Sequence, residues 1–85
     1  MSKLFGSADL CHCLMKLGFQ ASKQSSSSHI KFFPPSIHKI PIGIRPFMIV
    51  QINKKQFDKH TCSRYIIELV RMGFERKEIL NALEI

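Results

Sequence analysis

The sequence predicts an α+β fold: an antiparallel three-stranded sheet backed by helices on one face, with a short helix at the C-terminal end. Three observations carry that expectation. Apolar residues recur at helical spacing in two stretches, Leu10, Cys13, Leu14, Leu17 and Cys62, Tyr65, Ile66, Leu69, Val70. Between them lie β-favouring runs separated by serines and prolines. The same Gly-Phe pair, Gly18-Phe19 and Gly73-Phe74, closes both helical stretches.

Ser7-Ala8-Asp9 reads as the first helix start, with Ser7 as the cap and Asp9 well placed in the first turn. Gly18 supplies the left-handed stop, and Phe19 can fold back on the last turn. Phe19 to Gln24 is a short first strand, joined through the serine run to a second strand over Ser28 to Phe33. Alternation in that second strand sends Ile30 and Phe32 to one face and His29 and Lys31 to the other. Pro34-Pro35 ends it, because neither residue can donate to a ladder.

Ser36 to Pro46 mixes isoleucines with Pro41, Gly43 and Pro46, and is expected to be a long irregular connection or a poor edge strand. Phe47 to Ile52 is apolar almost throughout and is expected to be the central strand. A basic connection, Asn53 to Gln56 and Asp58 to His60, then leads to Thr61 as cap of the second helix. Glu75 to Leu83 is a final short helix with Ile79, Leu80 and Leu83 leaning on the helix before it. The expected core joins Ile30, Phe32 and Ile49 to Leu10, Leu14, Leu17, Ile66 and Leu69.

Eighty-five residues with 45% hydrophobic content make one small domain, 1–85, with room for a single modest core and none for a large enzyme cleft. Thirteen Lys and Arg against six Asp and Glu give a charge of +7, which favours a polyanionic partner such as nucleic acid or an acidic protein. The three cysteines, Cys11, Cys13 and Cys62, do not form the paired framework of a small secreted domain, so a reducing cytoplasm is expected. No signal peptide is expected from Met1 to Ser7, and the prolines break any apolar run of the roughly 20 residues that a membrane span needs. Cys11-His12-Cys13 and His60-Thr61-Cys62 supply zinc-type ligands. Residues two apart on a helix lie about 200° around its axis, however, so no metal site is expected.

Leu17-Gly18-Phe19, the strand Ser28-His29-Ile30-Lys31-Phe32, and the basic linker before a Gly-ended second helix together resemble the HicA-like toxins. These are small bacterial mRNA interferases of toxin-antitoxin pairs. The family pattern at the strand is Gly-Ser-His-x-x-Phe, which Ser28, His29 and Phe32 match, while Ser27 stands where glycine is usual. The connection from Phe33 to Pro46 is longer than the family's turn. The resemblance implies a double-stranded-RNA-binding-like α-β-β-β-α fold, a catalytic His29, metal-independent cleavage of mRNA, no cofactor, and an acidic HicB-like antitoxin as partner.

RNA carries its own nucleophile in the 2′-hydroxyl, so a small protein need only position the backbone, move a proton and stabilise charge at phosphorus. A histidine at position 29 can move that proton near neutrality, with His38 or His60 as candidates for a second group. Lys31 shares the face of His29 and can hold a phosphate. Lys23, Lys54, Lys55 and Lys59 can track the backbone, and Ser28 supplies hydrogen bonding at the strand entry.

The alternative is a non-catalytic RNA- or protein-binding module. Its protein-binding form rests on Ile66 to Leu83, where Met72-Gly73-Phe74 and Ala82-Leu83 resemble the first two helices of a ubiquitin-associated domain, whose Met-Gly-Phe loop binds ubiquitin.

Overall fold

The computed structural model describes residues 4–22 and 28–85. The elements run α1 (Ser7–Lys16), β1 (Gln20–Ala21), β2 (His29–Phe33), β3 (Met48–Gln51), α2 (Lys59–Arg71) and α3 (Arg76–Leu83). Among the described residues the chain is therefore α+β, with an antiparallel open sheet of three strands and three helices. The expected first strand is shorter than Phe19 to Gln24. Its last two residues and the serines at 25–27 lie outside the described residues.

Both helices stop as the glycines dictate. Gly18 (φ 95°) and Gly73 (φ 104°) take the left-handed conformation that only glycine adopts without strain. At each stop the glycine N–H and the following phenylalanine N–H reach back into the last turn: Gly18 to Met15 and Phe19 to Leu14, Gly73 to Val70 and Phe74 to Leu69. The two phenylalanines then meet, with ring centroids 5.3 Å apart. Two local stop signals thus become one tertiary contact.

The connection after β2 lies across these stops. Its Pro35 ring sits over Gly18, and its His38 ring stacks on Phe74 at 4.0 Å with the planes 7° apart. His38 Nε2–H donates to the Met72 carbonyl at 2.9 Å, one of the acceptors that the end of α2 leaves open. The irregular segment is therefore pinned, and it delivers Arg45 and Phe47 to a defined place.

Both helix starts differ from expectation. Gly6 rather than Ser7 precedes α1, and its N–H donates to the Asp9 carboxylate at 3.0 Å. The Ser7 hydroxyl instead donates to the Gln51 carbonyl at 2.7 Å and accepts the Lys54 N–H at 3.0 Å. A side chain at position 6 would collide with the Lys55 carbonyl, so glycine is what lets α1 begin against the chain leaving β3. In α2, Asp58 is the cap in place of Thr61, accepting the Thr61 N–H at 2.7 Å. A carboxylate three residues upstream captures the orphan N–H before a threonine hydroxyl can serve as cap.

The Thr61 backbone N–H, then its hydroxyl, and the nearby His60 and Lys54 charges hold the Asp58 carboxyl below its ordinary value. A carboxyl lowered in the folded state adds stability above its unfolded pKa of about 3.9, and that stability is lost as pH falls through the folded value. Asp58→Asn keeps a cap acceptor and removes the titration. Denaturant midpoints measured from neutral to acid pH should show wild type ahead at neutrality and the two proteins converging in acid. A difference constant with pH would mean that the charge of Asp58 adds nothing.

The sheet order is β1-β2-β3, so β2 is central and the expected placement of Phe47 to Ile52 at the centre is corrected. β3 is an edge strand, and α2 attends that edge: the Gln51 N–H donates to the Tyr65 hydroxyl at 3.2 Å. Register sets the phase of β3. Phe32 faces Met48 and Ile30 faces Val50, and this side carries the core, with Phe32, Met48 and Val50 buried. Ile49, expected in the core, instead faces Lys31 on the opposite side and is 38% exposed. An unbroken apolar run has no polar residue to mark its faces, so pairing with β2 decides them.

Leu10, Cys13, Leu14, Tyr65, Leu69, Ile79 and Leu83 fill the core from the helices, with Ile30 and Leu17 only half-buried at its margin. Phe5 and Phe57 complete it, edge to face at 6.1 Å. α3 packs mainly on α1 rather than on α2 as expected. The Cys13 thiol approaches the Ile79 carbonyl at 3.9 Å, and Lys16 pairs with Glu84. Among the described residues no helix is long and apolar enough to cross a membrane.

Candidate nucleic-acid interface

With the core on one side of the sheet, alternation leaves the other side open. His29, Lys31 and Phe33 from β2 stand there with Phe47, Ile49 and Gln51 from the β3 segment. Phe33 is 43% exposed, and its ring lies 6.2 Å from that of Phe47. Lys31 Nζ sits 4.5 Å over the Phe47 ring and the Arg45 guanidinium 5.1 Å from it. Cations gathered on a half-buried aromatic ring suit a partner carrying both phosphates and bases.

His29 is exposed at the head of β2. Ser28 precedes the strand in a bend, so it is not held to strand alternation, and its hydroxyl lies 2.8 Å from His29 Nδ1. This partner suits both charge states of the ring. With a neutral imidazole protonated on Nε2, the hydroxyl donates to Nδ1; with an imidazolium, Nδ1–H donates to the hydroxyl oxygen.

One shallow depression is lined by His29, Arg45, Ile49, Gln51, Arg64, Tyr65 and Glu68. Glu68 organises its cations. Arg45 Nη2 donates to Glu68 Oε1 at 3.0 Å, and Arg64 Nε lies 3.7 Å from Glu68 Oε2. One guanidinium comes from the long connection and one from α2, so a single carboxylate holds two long side chains in the depression that His29 lines.

The structure brings together His29, Ser28 and Lys31 of the expected site residues. Lys23 lies outside the described residues. Lys54 and Lys55 line a separate depression with Ser7, Ala8 and Cys11, beside the start of α1. Lys59 lines another, with Leu4, Cys62, Ile66 and Arg76. Neither candidate for a second imidazole joins His29: His38 is docked on Phe74, and His60 is in the first turn of α2.

Arg45, Arg64 and Glu68 are the site residues that sequence reasoning missed. Arg64 and Glu68 are four apart on one helix face and could have been paired from spacing, whereas nothing local ties Arg45 to them.

Cys13 and Cys62 are buried and Cys11 is half-buried. Burial pushes the Cys13 thiol up to about 11, against an opposing pull from Lys16, so it stays protonated at neutrality. No three His, Cys, Asp or Glu residues gather in a metal-binding group among the described residues. In the Met-Gly-Phe loop the Met72 and Phe74 side chains are buried, with His38 stacked on Phe74, and Gly73 is exposed. Compared with protein-family models, with curated proteins and with solved structures, the chain matches none.

Proposed function

We propose that this chain is an RNA-binding toxin of the HicA-like kind, built on a double-stranded-RNA-binding-like scaffold, that cleaves mRNA in the cytoplasm without a metal. The observation that carries the proposal is the grouping of His29, its Nδ1 partnered by Ser28, with Arg45 and Arg64 in one depression on the open sheet face. His29 takes the proton from a 2′-hydroxyl as its oxygen attacks the adjacent phosphorus. The bond from phosphorus to the 5′-oxygen breaks, and that oxygen leaves with a proton returned by the imidazolium or by water. The products are a 2′,3′-cyclic phosphate and a 5′-hydroxyl. Arg45 and Arg64 stabilise the charge that builds on phosphorus, and Lys31 holds the incoming backbone. The basic face also suits an acidic HicB-like antitoxin, which would block the site by covering it.

The test is purified protein with end-labelled single-stranded RNA in excess chelator. Fragments ending in cyclic phosphate are expected. A non-catalytic RNA-binding module is the second reading, favoured by the absence of a second imidazole from the residues lining the depression. Salt-sensitive binding that leaves the RNA intact would establish that reading, and no binding at low salt would end both.

A further inference from the structure

The His29 depression continues into a second one, lined by Gly43, Ile44, Arg45, Phe47, Arg64, Glu68, Arg71 and Met72. The two share Arg45, Arg64 and Glu68, so an extended ligand in one runs into the other. Arg45, Arg64 and Arg71 face a single acidic lining residue, Glu68. Three guanidinium groups lining one groove carry more positive charge than one carboxylate offsets. A phosphate supplies the missing counter-charge and matches the donor geometry of arginine.

The remaining wall decides what else the ligand carries. Phe47 lines the groove and is only half-buried, with Lys31 and Arg45 already gathered on its ring. A duplex keeps its bases stacked inward and presents only backbone to such a wall. An unpaired base can stack on the Arg45 guanidinium beside Phe47 or take the place of a cation on the ring. The groove also depends on the pinned connection, since His38 on Phe74 anchors the segment that carries Arg45 and Phe47 into place.

We infer that the groove between residues 43–47 and α2 is a second nucleotide subsite, holding a phosphate on Arg64 and Arg71 and an unstacked base at Phe47, so that the site takes a single strand of RNA several nucleotides long. The inference rests on the RNA reading above and specifies the form of RNA and its path.

Arg71 gives the cleanest test, because it lines the groove and not the His29 depression. The probes are a single-stranded hexanucleotide and a dinucleotide, both 2′-O-methylated to remove the nucleophile, and a duplex of the hexanucleotide sequence. Binding is followed by fluorescence anisotropy at several salt concentrations. Arg71→Gln is compared with Lys77→Gln, an exposed change on α3 that removes the same charge outside the groove lining. Arg71→Gln should weaken the hexanucleotide about fivefold or more and lower its salt slope by roughly 0.7, the value for one phosphate contact on a single strand. It should leave the dinucleotide unchanged, and Lys77→Gln should leave both within about twofold. Equal losses for the two variants would reduce the groove to general surface charge and overturn the subsite while RNA binding stands. Tighter binding of the duplex than of the single strand would overturn the single-strand assignment alone. Failure of wild type to bind any of the three would remove the RNA reading, and the subsite with it.

Discussion

His29→Ala is expected to abolish RNA cleavage while RNA binding stays within about twofold of wild type. General acid–base catalysis by a placed side chain contributes about a hundred- to ten-thousandfold, so its loss takes the rate of a small nuclease to background. Affinity comes from elsewhere: Lys31, Arg45 and Arg64 are untouched, and phosphate contacts supply most of the binding free energy. The substitution should also leave the fold intact, since His29 is exposed at the start of its strand and its ring is outside the core. The measurement pairs wild type with variant in the chelator assay, with anisotropy on uncleavable RNA beside it. Equal cleavage by both would place the activity in another residue or in a contaminant. Loss of binding together with cleavage would make His29 a contact for phosphate rather than the group that moves the proton.

Phe32→Ala is expected to destabilise the protein by about 3 to 5 kcal/mol, the range for deleting a buried aromatic side chain. Phe32 is 1% exposed on the central strand, with Ala21 opposite it on one side and Met48 on the other. Neither flank can collapse easily into the space, because each is held in a ladder. A domain of this size has a total stability of about 5 to 10 kcal/mol, so the variant should be marginally folded or unfolded at 37 °C. Denaturant unfolding of Phe32→Ala beside His29→Ala tests the two faces of one strand, with a large shift for the first and a small one for the second. Similar losses for both would mean that His29 is structural.

That contrast between neighbouring residues was legible in the sequence, because a strand of mixed residues declares its own faces. His29, Ile30, Lys31 and Phe32 alternate polar and apolar, and the structure pairs Ile30 and Phe32 with the buried Val50 and Met48, although Ile30 and Lys31 are both half-buried. The helix stops were legible for a similar reason. A left-handed glycine followed by a phenylalanine completes its hydrogen bonds within six residues, so the signal and the structure occupy the same few positions. The α+β class followed from those periods, and the interruptions at Pro41, Gly43 and Pro46 left Ser36 to Pro46 as an irregular connection or a poor edge strand, of which the structure shows the first.

The starts of the helices, the faces of β3 and the second half of the site were decided only by tertiary structure. Ser7 looked like a cap until the end of β3 offered its hydroxyl better partners 44 and 47 residues away. Phe47-Met48-Ile49-Val50 carried no mark of which side is inward, and its pairing with β2 supplied one. A lone phenylalanine in a basic connection, Phe57, gave no periodicity by which to place it in the core. Arg45 meets Glu68 across 23 positions because His38 and Pro35 dock the connection on two helix ends that themselves touch. Hydrogen bonds and repeats spanning a few residues can be read along the chain, whereas a contact that depends on how a proline-broken segment packs exists only once the elements around it are assembled.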